Sequence, residues 1–197
     1  MSEPISLTRV EQALAAYQYT ERAGAEPEKW ASVAAILRDD PERGPLVLVI
    51  RRSEHPNDPW SGHMAMPGGR KDPGDPTPRH AAEREAFEEV GIDLTAHARY
   101  LGRLDDVAAV ARGLRIGLTI APFVYVLERD VEPVLQATEV QEVHWVPLRD
   151  LAGPTYRGTR SYEISGTTVL LPCWRWNDRI IWGLTFNMLE SLLRVTS

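Results

Sequence analysis

The sequence predicts an α/β (α+β) fold in which a mixed β-sheet lies between layers of helices. Short apolar runs typical of strands alternate with amphipathic segments typical of helices. These segments do not follow a strict strand–helix–strand repeat, which favours a mixed sheet over a purely parallel one. The length of 197 residues suits one domain over residues 1–197, built around its own core.

The first half of the chain predicts two helices and two strands. Residues 7–18 read as a short amphipathic helix, which we expect to be peripheral. Apolar runs at Trp30–Leu37 and Leu46–Ile50 read as strands, and a longer helix is predicted at about 79–90. The second strand therefore ends just before a loop that leads into the longer helix.

The second half is predicted to be richer in strands. Strands are expected at Arg99–Val110, Arg115–Glu128 and Val140–Val146. Pro122 lies inside the second of these, and proline cannot donate to a strand ladder, so we expect a sheet edge or a bulge there.

Three shorter predictions complete the chain. A helical turn is expected at Leu148–Leu151 and a hairpin at 161–176. A closing helix is predicted at 180–194, because four apolar residues fall on one stripe. They are Trp182, Phe186, Leu189 and Leu193.

Composition excludes several classes of function. A net charge of −6 argues against a nucleic-acid polymer as partner. No stretch approaches the roughly 18 apolar residues of a membrane span, and the N-terminus lacks a signal pattern. The lone cysteine, Cys173, cannot form an intrachain disulfide, lies in an apolar run and is expected in the core. We therefore expect a cytoplasmic protein with no membrane partner.

Three glutamates on one helical face carry the strongest functional signal. Glu85, Glu88 and Glu89 fall within about a third of the helix circumference. Like charges at this spacing repel, and oxygen ligands of this kind suit Mg²⁺ or Mn²⁺. A solvated acidic face is the alternative interpretation.

The segment before these glutamates reads as a glycine-rich loop that opens the helix. Gly68 and Gly69 permit close backbone approach to a ligand, and Thr77 or Asp75 can cap the helix. Gly91 is predicted to end the helix in the left-handed conformation. The opposite face is expected to pack on the sheet through small side chains. They are Ala82, Ala86 and Val90.

Together these residues resemble the signature box of the Nudix hydrolase family, over residues 69–92. Arg84 through Ile92 matches the second half of the box at every fixed position. The first half departs, because Asp75 stands where the family has a glutamate and the spacing to Arg84 is one residue longer.

The lengthened box is similar to that of the coenzyme A pyrophosphatase-like subgroup. Gly62 with Met66–Gly69, and the run Ile181–Thr185, also look like that subgroup. Asp58 stands where the subgroup has an arginine, and this departure bears on the substrate.

The resemblance implies a Nudix α/β/α sandwich and assigns roles to the box residues. Glu85, Glu88 and Glu89 would act in catalysis and bind Mg²⁺ or Mn²⁺ together with Gly69, and Arg84 would orient a box glutamate. Because Asp75 has a shorter side chain on a longer loop, we expect it to lie outside the direct metal ligands.

Residues outside the box are assigned from position. Arg51 and Arg52 end a strand and point to opposite faces, so only one can bind a phosphate; with Gly68, Arg52 is the predicted substrate-binding residue. Glu139 is the predicted general base, and Glu142 and His63 are the alternatives.

The resemblance implies metal-dependent hydrolysis of a diphosphate linkage in a small nucleoside diphosphate derivative. Coenzyme A or acyl-coenzyme A is the first candidate; ADP-ribose, NADH and dinucleoside polyphosphates are the others. A non-catalytic nucleotide-binding module and an isomerase on the same fold are the rival classes. A homodimer is left open, as are the attacked phosphorus and the number of metal ions.

Overall fold

The computed structural model describes residues 5–22, 29–56, 58–111, 113–164 and 166–196. The N-terminal stretch examined for a signal begins with residues 1–4, which lie outside these ranges. The helices are α1 (Leu7–Ala16), α2 (Pro78–Val90), α3 (Leu94–His97), α4 (Leu148–Ala152) and α5 (Gly183–Val195). The strands are β1 (Trp30–Asp40), β2 (Gly44–Arg52), β3 (Met64–Ala65), β4 (Gly68–Arg70), β5 (Ala98–Arg103), β6 (Val107–Ala111), β7 (Leu114–Leu127), β8 (Val140–Pro147), β9 (Arg157–Ile164), β10 (Thr167–Trp176) and β11 (Arg179–Trp182).

The main sheet is mixed, as the sequence predicts. Its strands run in the order β3-β2-β1-β7-β5, with β8 on β2, β4 on β1 and β6 on β7. The pair β1–β7 is parallel, whereas the other pairs of this sheet are antiparallel. The parallel pair lies at the centre, and its strand β1 carries β4; both β1 and β4 pack against α2.

Helices cover both faces of this sheet, which confirms the α/β/α arrangement. Alternate residues of β1 divide between two cores: Ala34 and Ile36 belong to the core beneath α2. Val33 and Leu37 belong to the opposite core, which α1, α4 and α5 cover. The two-residue period of the strand therefore divides one apolar run between both layers.

A second, three-stranded antiparallel sheet is formed by β9, β10 and β11. The predicted hairpin is confirmed as the antiparallel pair β9–β10. Residue 165 lies outside the described residues. The sequence predicts Trp182 on the closing helix, and this prediction is wrong. Trp182 ends β11, where it pairs with Cys173 on β10, and α5 begins one residue later. Cys173 is buried, as expected.

The sequence predicts an edge or a bulge at Pro122, and the edge alternative is wrong because Pro122 lies in the central strand β7. Register shifts occur on both sides of it, where β7 pairs with β6 and with β5. Pro122 is opposite Val33 of β1. On the other side of β7, β6 pairs as far as Ile120 and β5 begins at Phe123. The proline therefore occupies the point where one antiparallel partner ends and the next begins.

The predicted strand at Arg99–Val110 is two strands, because residues 104–106 leave the sheet. There the Asp105 and Asp106 carboxylates accept hydrogen bonds from the backbone N–H groups of Thr20 and Arg22. The N-terminal helix also differs from its prediction. It ends at Ala16, and its residues Val10 and Leu14 are buried in the core rather than peripheral.

No helix in the described part of the chain is long and apolar enough to cross a membrane.

Candidate active site

The box helix α2 is fixed at both ends by the residues that the sequence indicates. The Thr77 side chain accepts a hydrogen bond from the His80 N–H, and Pro78 occupies the first turn. Gly91 ends the helix with φ 67°, a left-handed conformation that glycine adopts at little cost. Ala82, Ala86 and Val90 are fully buried against the sheet. The carboxylate face of α2 is therefore held in a defined orientation.

Three carboxylates from two parts of the chain meet on this face. Oxygens of Glu85, Glu89 and Glu139 all lie within 4.8 Å of one another. Glu89 is almost completely buried, with 1% of its side chain exposed, Glu85 is half-buried and Glu139 is exposed. We call these three residues the carboxylate trio. A buried carboxylate beside two others needs a counter-charge, so the trio fits a hard divalent cation.

The loop before β8 brings Glu139 to the trio. Backbone N–H groups of Val134 and Gln136 donate to the carbonyls of Val90 and Glu89, at 2.9 and 3.0 Å. The Ser53 N–H donates to the carbonyl of Glu139 at 2.8 Å. The loop is thus attached both to the end of α2 and to the residue that follows β2.

Glu89 is the most strongly perturbed acid of the trio. Burial raises the pKa of Glu89 to about 8, although the Gly68 N–H and the charge of Arg52 act in the opposite direction. The Gly68 N–H donates to Glu89 Oε2 at 2.9 Å, and Arg52 Nη1 lies 3.7 Å from Oε1. Burial also raises the pKa of Glu85. Without a cation, Glu89 carries a proton at neutral pH.

Gly68 and Gly69 form a cradle in which an added Cβ would collide with neighbouring atoms, with backbone at Gly68 and with the Glu85 carboxylate at Gly69. β4 pairs with β1 at Gly68–Val33 and Gly69–Ser32. A Cβ on Gly68 would lie 2.2 Å from the Ser32 carbonyl oxygen, and one on Gly69 would lie 2.2 Å from Glu85 Oε1. These glycines therefore let the sheet approach the two box glutamates. Their predicted contacts, Gly69 with metal and Gly68 with substrate, stay predictions.

Arg84 connects the acidic loop to the box helix. It donates to both oxygens of Asp75, from Nε at 3.2 Å and from Nη2 at 3.0 Å. Its Nη1 donates to Glu85 at 3.0 Å and to Glu88 at 2.8 Å. The structure thus places Arg84 where it orients Glu85, the contact that the resemblance implies. Hydrogen bonding to Arg84 lowers the pKa of Asp75.

Glu88 does not join the carboxylate trio. Its side chain is 51% exposed, and it is bonded to Arg84 one helical turn away. The sequence alone grouped Glu88 with Glu85 and Glu89, because helical periodicity places all three on one face. Its role as a metal ligand stays a prediction.

We expect Asp75→Asn to leave Mn²⁺ affinity within about tenfold of the wild type, because Asp75 contacts Arg84 and lies outside the trio. Titration of Mn²⁺ followed by calorimetry measures the affinity directly. Glu89→Gln, titrated in parallel, is the reference for loss of a direct ligand. Equal damage from the two substitutions would make Asp75 a metal ligand.

A cavity of about 670 Å³ opens beside the cradle. Gly68, Gly69 and Arg70 form one wall, and Arg52 lines it next to Glu89. Much of the remaining lining is apolar or aromatic, and includes Val33, Trp60, Met66, Ile120, Tyr162 and Met188. The cavity therefore offers an apolar space that ends at the glycines that hold the box glutamates.

Arg52 is held in place inside this cavity by Asp58. Its Nη2 lies 2.8 Å from Asp58 Oδ2, and the Trp60 N–H donates to the other oxygen of Asp58. Arg51, its neighbour, is outside the cavity lining and pairs with Glu142 at 3.0 Å. As the strand period requires, only one of the two arginines faces the site.

The alternative bases, Glu142 and His63, have other surroundings. Glu142 accepts hydrogen bonds from His144, Arg179 and Arg51, and these lower the pKa of Glu142 to about 2. A carboxylate with so low a pKa is a poor proton acceptor. His63 lines the cavity with its ring 4.8 Å from that of Trp182.

Several cavity residues were missed by sequence reasoning. Trp182, Leu184 and Thr185 line the cavity, and the run Ile181–Thr185 had marked them only as similar to a subgroup. Tyr162 and Ile164 also line it. No motif in the sequence distinguishes these two from ordinary hairpin residues.

A family model described as the NUDIX domain matches residues 28–164, which is more than half of the chain. This chain belongs to the Nudix family. The match contains the whole box, the trio and the loop that carries Glu139.

Sequence relatives agree with this membership. This Nudix chain is 34% identical over 140 residues to the peroxisomal coenzyme A diphosphatase ndx-8 of Caenorhabditis elegans, covering 68% of this chain and 56% of the relative. It is 42% identical over 112 residues to an uncharacterized protein of Schizosaccharomyces pombe, covering 56% of this chain and 34% of that protein. The chain thus spans about a third to a little over half of these relatives.

Solved structures agree on the fold. An Ap4A hydrolase binary complex from C. elegans matches with TM-score 0.52 and 22% identity, covering 62% of this chain and 82% of that chain. The Nudix hydrolase RenU of M. smegmatis matches with TM-score 0.50 and 23% identity, covering 64% and 74%. At this level of identity the comparison supports the Nudix fold and does not indicate which substrate this chain binds.

Proposed function

We propose that this Nudix protein hydrolyses the diphosphate linkage of coenzyme A or an acyl-coenzyme A, with Mg²⁺ or Mn²⁺ as cofactor. The observation that carries the proposal is the carboxylate trio beside the glycine cradle, at the end of an apolar cavity. Similarity to a coenzyme A diphosphatase supports the substrate.

The trio fits the metal by its chemistry. All of its donors are carboxylate oxygens, and the buried Glu89 has a raised pKa that a cation would reverse. Glu85 and Glu89 would hold the metal. When bound, the metal would neutralise diphosphate charge and make water a stronger nucleophile.

The protein's own side chains supply positioning and proton transfer. Arg84 orients Glu85, and the Gly68 N–H orients Glu89. Arg52 is aligned by Asp58 and lines the cavity near Glu89, so its guanidinium binds a phosphate oxygen of the substrate. Glu139 is exposed and bonded less tightly than Glu142, so it accepts the proton of the attacking water.

The cavity suits a substrate with an apolar portion next to its diphosphate. A volume of about 670 Å³ lies within the roughly 300–1,000 Å³ of small-molecule sites. Its apolar lining fits a pantetheine arm or an acyl chain, and Trp60 and Trp182 offer stacking surfaces.

Product analysis on a substrate panel tests the proposal. With Mg²⁺ or Mn²⁺, coenzyme A is expected to give adenosine 3′,5′-bisphosphate and phosphopantetheine. ADP-ribose, NADH and diadenosine tetraphosphate are the comparison substrates. Cleavage of these but not of coenzyme A would overturn the substrate and leave hydrolysis intact; binding without any cleavage would indicate a nucleotide-binding module.

Metal affinity is expected to rise with pH because Glu89 must lose its proton to bind a cation. The pKa of Glu89 is raised to about 8, so below that pH the proton competes with the metal. We expect Mn²⁺ affinity to increase by up to about tenfold per pH unit and to level off above about pH 8. Calorimetric titrations at several pH values measure this slope. Glu89→Gln should remove it, and a flat wild-type profile would contradict the assignment.

A further inference from the structure

Arg160 is a cavity-side cation outside the residues assigned so far. Exposure alternates along β9, and Arg160 shares the half-buried face with Tyr162 and Ile164, both of which line the cavity. Its guanidinium lies over the ring of Trp182, 4.1 Å from the centroid. Trp182 also lines the cavity, so Arg160 flanks the cavity behind this ring.

Arg160 has no carboxylate within 4.0 Å among the described residues. Arg157, on the other face of the same strand, is paired with Glu190 at 3.0 Å. A half-buried charge without a counter-ion is unfavourable, and stacking on an aromatic ring offsets only part of that cost. Among the described residues no acceptor is hydrogen-bonded to the Arg160 guanidinium, so its N–H groups can donate to a bidentate anion.

Away from the trio, the described residues that line the cavity carry more positive than negative side chains, although the chain has a net charge of −6. Arg52 and Arg70 line the cavity, and Arg160 flanks it; among the described residues Asp58 is the one carboxylate of the lining, and Arg52 is bonded to it. Burial lowers the pKa of His63, and the charges of Arg160 and Arg52 lower it further, whereas Asp58 raises it. His63 therefore lies in the positive field of both arginines.

We propose that Arg160, stacked on Trp182, binds a second anionic group of the substrate, a phosphomonoester separate from the diphosphate. The inference rests on the proposed function and deepens it: in coenzyme A this group is the 3′-phosphate of the ribose. Arg52 binds the diphosphate at the cradle, where the trio would hold the metal, and Arg160 selects nucleotides that carry the additional phosphate.

A binding experiment tests this without turnover. Calorimetry compares adenosine 3′,5′-bisphosphate with AMP, which lacks the 3′-phosphate, on the wild type and on Arg160→Gln. We expect the wild type to prefer the bisphosphate by roughly tenfold or more, and Arg160→Gln to bind the two nearly equally. Arg160→Lys keeps the charge without the planar fork and should retain part of the preference.

Arg157→Gln is the matched control, because it removes the same charge from the other face of the same strand, at a residue outside the cavity lining. It should keep the full preference. Thermal unfolding of each variant shows whether the fold is retained, and Arg160→Lys provides the test if Arg160→Gln is not folded.

Steady-state kinetics with coenzyme A and dephospho-coenzyme A provide a second test of the role of Arg160. Arg160→Gln should raise KM for coenzyme A roughly tenfold or more, with little change for dephospho-coenzyme A and little change in kcat. The role of Arg160 is overturned if the wild type binds the bisphosphate and AMP equally or binds neither detectably. It is also overturned if Arg160→Gln changes KM equally for coenzyme A and dephospho-coenzyme A. Failure to cleave coenzyme A, with the bisphosphate preference intact, instead overturns the proposed reaction.

Discussion

Glu89→Gln is expected to lower kcat at least about 100-fold with the substrate that the panel identifies. Glu89 is the buried member of the trio and accepts a hydrogen bond from the Gly68 N–H. Burial raises its pKa, and a bound metal would lower that pKa again. The substitution keeps the shape and removes the charge, which corresponds to a loss of about 3 kcal/mol or more of transition-state stabilisation. Steady-state kinetics with saturating Mg²⁺ measure it.

Glu88→Gln is the matched control for that experiment. It makes the same chemical change one residue earlier on the same helix, where the side chain is exposed and bonded to Arg84. We expect a smaller loss of kcat than for Glu89→Gln. Near wild-type turnover in Glu89→Gln would remove Glu89 from the active site.

Gly68→Ala is expected to lower kcat by about 100-fold or more and to lower the melting temperature. The added Cβ would lie 2.2 Å from the Ser32 carbonyl oxygen and 2.6 Å from the Cα of Val33, so β4 must move away from β1. The N–H that holds Glu89 moves with it, and a displacement of about 1 Å in such a site costs about 100-fold in rate. Overpacking of this kind costs roughly 1–3 kcal/mol of stability.

Gly74→Ala, in the loop that follows β4, provides the control for Gly68→Ala. A Cβ at Gly74 would meet no atom within 4 Å, so kcat and melting temperature should both stay close to the wild type. Kinetics and thermal unfolding of both variants give the comparison. Wild-type activity in a folded Gly68→Ala protein would show that the cradle does not position Glu89.

The features that the sequence predicted well are local. The cap at Thr77, the left-handed Gly91 and the buried small face of α2 depend on residues a few positions apart, whose relative geometry the helix itself fixes. The same reasoning placed Glu85 and Glu89 together. It also grouped Glu88 with them, because periodicity locates a side chain on a face but does not show which neighbour will bind it.

The predictions that were wrong depend on which strands pair. Pro122 was expected at an edge or a bulge because proline has no N–H to donate; the edge alternative is wrong, because Pro122 lies in the centre of the sheet, where β6 stops pairing with β7 and β5 begins. Trp182 fits a helical stripe by spacing, but its pairing with Cys173 makes it part of β11. In both cases a long-range contact overrode a correct local rule.

The sequence by itself determined the Nudix family, the box helix and the chemistry of its carboxylates, because these follow from residue type and short-range spacing. Only the tertiary structure decided that Glu139 rather than Glu142 joins the box glutamates, and that Arg52 rather than Arg51 faces the cavity. It also brought Arg160 and Trp182 together from different strands of the small sheet. These outcomes depend on strand register and loop attachment between segments far apart in the chain, which no local pattern encodes.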